Sequence, residues 1–141
     1  MVNAILPFCS SAKTSPHNFV FLEGVQSALC ADQNWMDGHY SSPPVKGLKA
    51  FARVYAGWAF SQTFYREKLY KKLGFSKVED LLVDWENDHI KNWDANDLLA
   101  KLATWQANDI SFGPHYKNDI KNALRSIRAR TILIPCTQDL Y

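Results

Sequence analysis

Cysteine is scarce in this 141-residue chain, and its three copies, Cys9, Cys30 and Cys136, are far apart and form no C-x-x-C pair. That pattern excludes a zinc ribbon and a disulfide framework alike, and the thiols are expected to be reduced core residues of an intracellular protein. Long apolar runs are also missing: nothing approaches the roughly 18 consecutive apolar residues of a membrane span. The N-terminus has neither the basic region nor the apolar core of a signal peptide, so the cytosol is the default expectation, with no membrane partner. Charge of one sign is absent too. Sixteen basic residues against fourteen acidic leave a net +2, which provides no electrostatic footprint for nucleic acid. The four histidines, His17, His39, His89 and His115, show no H-x-x-x-H or H-E-x-x-H spacing, so no metal ligands are assigned.

What the chain does have is aromatic residues. They make up 13% of the sequence and include five tryptophans. Such side chains bury large areas and line pockets or interfaces. The length suits one domain with a moderate core.

Ala4 to Phe8 form a short apolar run that opens into the small and polar residues Ser10 to Ser15, which predicts a buried strand followed by a loop. Ser15 and Pro16 signal a helix start, a capping hydroxyl ahead of a proline at the first helical position. Phe19, Leu22, Val25 and Leu29 then mark the inner face of a helix over about 16–31. Asp32 to Pro44 is rich in turn formers and reads as loop. Leu48, Phe51, Ala52, Tyr55 and Ala59 return at helical spacing. Ser76 and Glu79 form a capping box ahead of Val78, Leu81, Leu82 and Trp85. Asp94 caps a further helix whose buried face is Ala95, Leu98, Leu99 and Leu102. A last helix near 117–128 leads into Thr131 to Ile134, a β-branched and apolar run expected as a buried strand.

The order is therefore strand, four or five helices, strand. Two strands at opposite ends of a chain make no stable sheet alone, because parallel pairing needs neighbours. The pattern reads as a helical insertion between two strands of a larger sheet.

Catalytic constellations are few. A nucleophile elbow, G-x-S-x-G on a strand-to-helix turn, is absent. Ser10 and Ser11 follow the first strand without the glycine that the strained turn requires, and read as loop serines that satisfy backbone groups. Trp85 and His89 share a helical face with leucines, the setting of a satisfied core histidine. The stretch Tyr65 to Phe75, "YREKLYKKLGF", reads as a solvated helix end with Lys71 and Lys72 near its negative pole before Gly74. Arg53 stands out inside the apolar segment "AFARVYAGWAF". An arginine there is costly unless paired, so it either meets a protein carboxylate or faces a cavity that receives an anionic ligand, for which its planar fork is suited.

Taken together, these residues resemble a family. "ALCADQNWMDGHYSSPPVKGLKAFAR" is similar to the segment after the nucleophile strand in homoserine O-acetyltransferases of the α/β-hydrolase superfamily, through Ala28, Asp32, Trp35, Gly38, Tyr40, Pro44, Gly47, Leu48, Ala52 and Arg53. "WDANDLLAKLATWQANDI" resembles the same family's D-A-N block, carried by Asp94, Ala95, Asn96, Leu98 and Leu99. The closing "PCTQDLY" resembles its strand-end turn, with Asp139 at the acid.

The resemblance implies a partial α/β-hydrolase fold: a sheet strand and loop over 1–15, a helical cap over 16–115, and a helix with the acid-bearing strand over 116–141. It further implies a Ser, acid, His chain order, with Asp139 as the acid, the serine upstream of Met1 and the histidine downstream of Tyr141. In the complete family an acetyl group passes from acetyl-CoA to the serine and on to homoserine, with no resident cofactor, and Arg53 corresponds to the cap arginine that binds the amino-acid carboxylate. With water as acceptor the same machinery is a hydrolase. The expectation is a truncated member of this branch, inactive alone and acting on a small molecule only when complete, with a complementing chain or a homo-oligomer as the candidate partner. The alternative is a helical module that binds a protein through its aromatic surface.

Overall fold

The computed structural model describes residues 2–135. Among them two short parallel strands, β1 (Ala4–Ile5) and β2 (Arg130–Thr131), close the base of a helical assembly. Ala4 faces Arg130 and Ile5 faces Thr131, and an isolated bridge between Phe8 and Ile134 continues the pairing. The strands are not the buried elements that their composition suggests. Leu6 is 54% exposed, Phe8 66%, Ile132 68% and Leu133 62%. A parallel sheet is normally covered on both faces and flanked by further strands, and none of that covering lies within the described residues. The apolar character is as expected, but no described residue covers it.

Between the strands come α1 (Pro16–Cys30), α2 (Val45–Ala59), α3 (Gln62–Arg66), α4 (Val78–Asn92), α5 (Ala95–Gln106) and α6 (Ile120–Arg125). The start of α1 follows the local chemistry: Ser15 is the cap and its Oγ accepts from the Asn18 amide at 3.1 Å, with proline just inside. Its inner face is Phe21, Leu22, Val25 and Leu29, whereas Phe19 points to solvent at 45% exposure. Phe19 and Phe21 lie on different sides of the helix, and the rings of Tyr55 and Trp58 on α2 meet Phe21. Tertiary contact thus chose between two equally apolar positions.

The segment expected as loop after Asp32 contains a short 3-10 stretch, Gln33–Gly38, with Met36 and Asp37 in the left-handed region. The Asp32 side chain caps it through the Asn34 amide at 3.0 Å and also accepts from the Gly47 amide at 2.9 Å. That double use ties α1 to α2. Gly47 is required there, because a Cβ would run into the Leu29 carbonyl.

The expected capping box of α4 is displaced by one residue. Lys77 is the cap position, and Asp80, not Glu79, accepts from its amide at 2.9 Å. Glu79 is engaged with Arg53 instead. At α5 the expectation holds: Asp94 Oδ1 accepts from the amides of Asn96 and Asp97. The core is a single cluster in which Leu22, Val25 and Leu29 of α1 meet Leu48 and Phe51 of α2 and Ala95, Leu98 and Leu102 of α5, while α4 packs along α2. Short helix α6 occupies less than the expected range near 117–128.

Candidate functional site: a cleft at the carboxyl edge of the strands

In a parallel sheet, ligands bind beyond the carboxyl ends of the strands. At that edge the chain leaves β1 and turns at Cys9, whose φ of 45° lies in the left-handed region, an uncommon geometry for a residue with a Cβ. The loop that follows is sewn to the segment after α5. Thr14 donates to Asn108 O at 2.9 Å and Ile110 donates to Ala12 O at 3.0 Å. Asn108 Nδ2 donates to Ser11 O at 3.0 Å, and Lys13 Nζ lies 2.7 Å from Asp109 Oδ2. The lysine beside it, with two bonds from Ser111, holds the Asp109 carboxyl well below its usual range, at about 2.

This stitching leaves a cleft of about 740 Å³. Cys9, Ser10 and Ser11 line it from the loop, and Asp97, Ala100, Lys101, Thr104 and Trp105 from α5. Asn18 at the start of α1 also lines it; this side chain is 3% exposed, and its Oδ1 has no hydrogen-bond partner among the described residues. A buried acceptor without a donor is costly, and Asn18 is a polar group of the cleft wall that the described residues leave unsatisfied. On the far side β2 arrives: Cys9 donates to Ile134 O at 3.4 Å. Asp139, assigned as the acid from the sequence, lies outside the described residues.

The residues that carried the family resemblance come together, and they form joints. Trp35 Nε1 donates to Asn96 Oδ1 at 3.2 Å, Asn96 Nδ2 donates to Gly38 O at 3.0 Å, and the Tyr40 hydroxyl donates to Asp94. The two sequence blocks are thus the two halves of one hydrogen-bonded seam that holds the 3-10 stretch on the start of α5. The Tyr40 bond and the helix amides together keep Asp94 below the usual carboxylate range.

Arg53 adopts the first of the two arrangements left open by the sequence. Its Nε donates to Glu86, and its Nη1 and Nη2 donate to Glu79 at 3.2 and 2.6 Å. Glu86, whose side chain is 8% exposed, also lies 3.5 Å from Lys49 Nζ. Arg53 is not among the residues lining the strand-edge cleft. His89 is a satisfied core histidine, as expected: it is 7% exposed and its Nδ1 donates to Trp85 O at 2.8 Å. Sequence reasoning missed Asn18, Glu86 and Lys101. An asparagine within a capped first turn reads as polar surface, and only the approach of α5 buries it.

No family model matches the chain. Over 99% of its length it is 29% identical to a probable esterase of Corynebacterium glutamicum, over 93% it is 29% identical to an ethyl acetate hydrolase of Pseudomonas veronii, and over 99% it is 28% identical to a homoserine O-acetyltransferase of Chloroherpeton thalassium. The chain spans only 37–40% of the length of these relatives. Among solved structures, an acetylester hydrolase from Corynebacterium glutamicum superposes with a TM-score of 0.90 at 29% identity, covering 99% of this chain and 40% of that one. The acetyl esterase MekB gives 0.90 at 28% identity, covering 98% of this chain and 40% of its own. A homoserine O-acetyltransferase from Bacillus anthracis shares the fold with a TM-score of 0.81 at 24% identity, again with 99% of this chain and 40% of that one covered. The helical insertion, its hydrogen-bonded seam and the two parallel strands at its base are therefore part of an α/β-hydrolase fold, and the relatives of the chain are those of the homoserine O-acetyltransferase-like branch of that superfamily.

Proposed function

We propose that this chain supplies the cap and the acid-bearing strand of a serine-dependent enzyme that cleaves short acyl esters, acetyl esters first among them, and that it has no turnover alone. The observation that carries the reading is the cleft at the carboxyl edge of β1, flanked by the strand that leads to Asp139. In this reading Asp139 holds the catalytic histidine in its productive tautomer and stabilises the imidazolium that forms during attack. A nucleophilic serine, a histidine base and an oxyanion hole supply nearly all of the rate. No G-x-S-x-G elbow is present in the 141 residues.

Hydrolysis is favoured over transfer to homoserine by Arg53. In the transferase reading Arg53 binds the amino-acid carboxylate of the acceptor, with acetyl-CoA as donor. Here its fork is engaged by Glu79 and Glu86, and a substrate carboxylate would have to displace one of them. The esterase names of two structures that superpose with a TM-score of 0.90, at 29% and 28% identity against 24% for the transferase, support the same choice.

The test has two parts. The purified chain, assayed with p-nitrophenyl acetate and ethyl acetate, should not exceed the buffer rate; measurable saturable turnover would sink the claim of inactivity. The same residues in a frame that also encodes the elbow and a histidine should hydrolyse ethyl acetate faster than they acetylate homoserine. In that complete enzyme Asp139→Asn should lower kcat by about three to four orders of magnitude; an unchanged kcat would remove Asp139 from the reading.

A further inference from the structure

A second cleft, of about 490 Å³, opens between α2, α4 and α5 and shares Lys101 and Trp105 with the strand-edge cleft. Its walls are aromatic: Tyr55 from α2, Trp85 from α4, Trp93 from the connection to α5, and Trp105 from α5 itself. Two carboxylates on α4, Asp84 and Asp88, stand one turn apart beside it. Asp88 is fixed in place, because Oδ1 accepts from Asn92 Nδ2 at 2.7 Å and Oδ2 from Trp93 Nε1 at 3.1 Å. Both bonds favour the ionised carboxylate.

The cleft already stabilises a positive charge. Lys101 Nζ sits 3.8 Å from the centroid of a Trp93 ring, a cation–π distance. Lys101 is an exposed residue on a flexible stem, and it lines the strand-edge cleft as well. An ammonium head can therefore leave Trp93 without leaving the protein.

We propose that this cleft is a binding site for a small organic cation, a quaternary ammonium or a protonated amine, which takes the place of the Lys101 head over Trp93. Indole faces attract cations through their quadrupole, and the attraction grows as water is excluded. Asp84 and Asp88 supply the net charge that a neutral apolar ligand could not use. The lysine acts as an internal competitor. A ligand gains only the difference between its own contacts and those of the ammonium it displaces, so affinity in the native chain is modest and rises when Lys101 is neutralised. This inference is independent of the esterase reading.

The probe is choline, with its uncharged isostere 3,3-dimethyl-1-butanol as control, titrated into the purified chain while indole N–H signals are followed by NMR. The downfield Trp93 signal expected from its bond to Asp88 reports the fold before any addition. Choline should shift the Trp93 signal and bind about tenfold more tightly than the isostere. Lys101→Met should tighten choline binding by about two- to fivefold, and Asp84→Asn, a surface change that leaves the packing intact, should weaken it. Equal affinity for the two probes would reduce the cleft to an apolar crevice and overturn the proposal. So would a silent Trp93 signal, or an affinity indifferent to Lys101→Met.

Discussion

The buried carboxylate of Glu86 on α4 bonds the guanidinium Nε of Arg53 on α2, and Glu79, two turns earlier on α4, closes on the other end of the same fork. This pairing joins two of the most closely packed helices in the molecule. Its members differ in burial: the side chain of Glu86 is 8% exposed and that of Glu79 59%. Removing Arg53 leaves a buried carboxylate with only the more distant Lys49, whereas removing Glu79 exposes little that water cannot solvate.

Arg53→Met should accordingly destabilise the fold by about 2 kcal/mol, the scale of a lost hydrogen bond to a charged group. Glu79→Gln should cost clearly less, because exposed ion pairs contribute little. Urea unfolding of the two variants checks the ordering, and a larger loss for Glu79→Gln would show that the buried partner is not the anchor.

Gly47 and Gly57 lie on the same helix and should respond in opposite directions to alanine. At Gly47 the new Cβ meets the Leu29 carbonyl and the Cβ of Asp32, which costs about 1–3 kcal/mol in a packed site. At Gly57 nothing lies within 4 Å, and the gain in helix propensity should stabilise by up to about 1 kcal/mol. Thermal melts of both variants read the two signs directly.

Stability should fall on acidification. Asp109, lowered to about 2 from 3.8 by Lys13 and Ser111, and Asp94, lowered by Tyr40, both have folded pKa values below their unfolded ones. The unfolded chain therefore takes up protons first. The stability they contribute is complete above the unfolded value near 3.8 and is lost as pH drops toward 2. A melting temperature followed across that window should decline, and Asp109→Asn should flatten the decline; a variant that still follows the wild-type slope would remove Asp109 from the account.

The uncovered strands give a further expectation. Leu6, Ile132 and Leu133 present apolar surface of the kind that associates in water, so the isolated chain should enhance the fluorescence of a hydrophobic dye. Leu133→Ser should reduce that signal while leaving the melting temperature within a degree or two, because the residue is 62% exposed.

Much of this organisation was legible in the residues. Ser15 with Pro16 and Asp94 marked two helix starts because capping is local: a side-chain oxygen and an amide two or three residues away decide it. The choice of Phe21 over Phe19 was not local, since it depends on where Tyr55 and Trp58 arrive. Ser76 lost its capping role for a similar reason, as Arg53 draws Glu79 across to α2. The seam between Trp35, Tyr40 and the Asp94 block was visible only as two similar stretches of sequence; that they touch is a property of the fold. The aromatic cleft was half legible. The five tryptophans signalled a pocket or an interface, and Trp85 and His89 share a face, but Trp93 and Trp105 join them only when α5 packs on α1 and faces α4 across the cleft.

The pairing of Ala4 with Arg130 has an architectural consequence. The backbone departs from the sheet and, after a long excursion through six helices and their connections, returns beside its point of departure, at the roughly 4.8 Å spacing of neighbouring strands. An insertion with so narrow a neck can be lengthened, shortened or exchanged without altering the register of the strands beneath it. The helical roof over the strand edge is thus a graft on a fixed seat, able to vary its walls while the strands beneath keep their pairing.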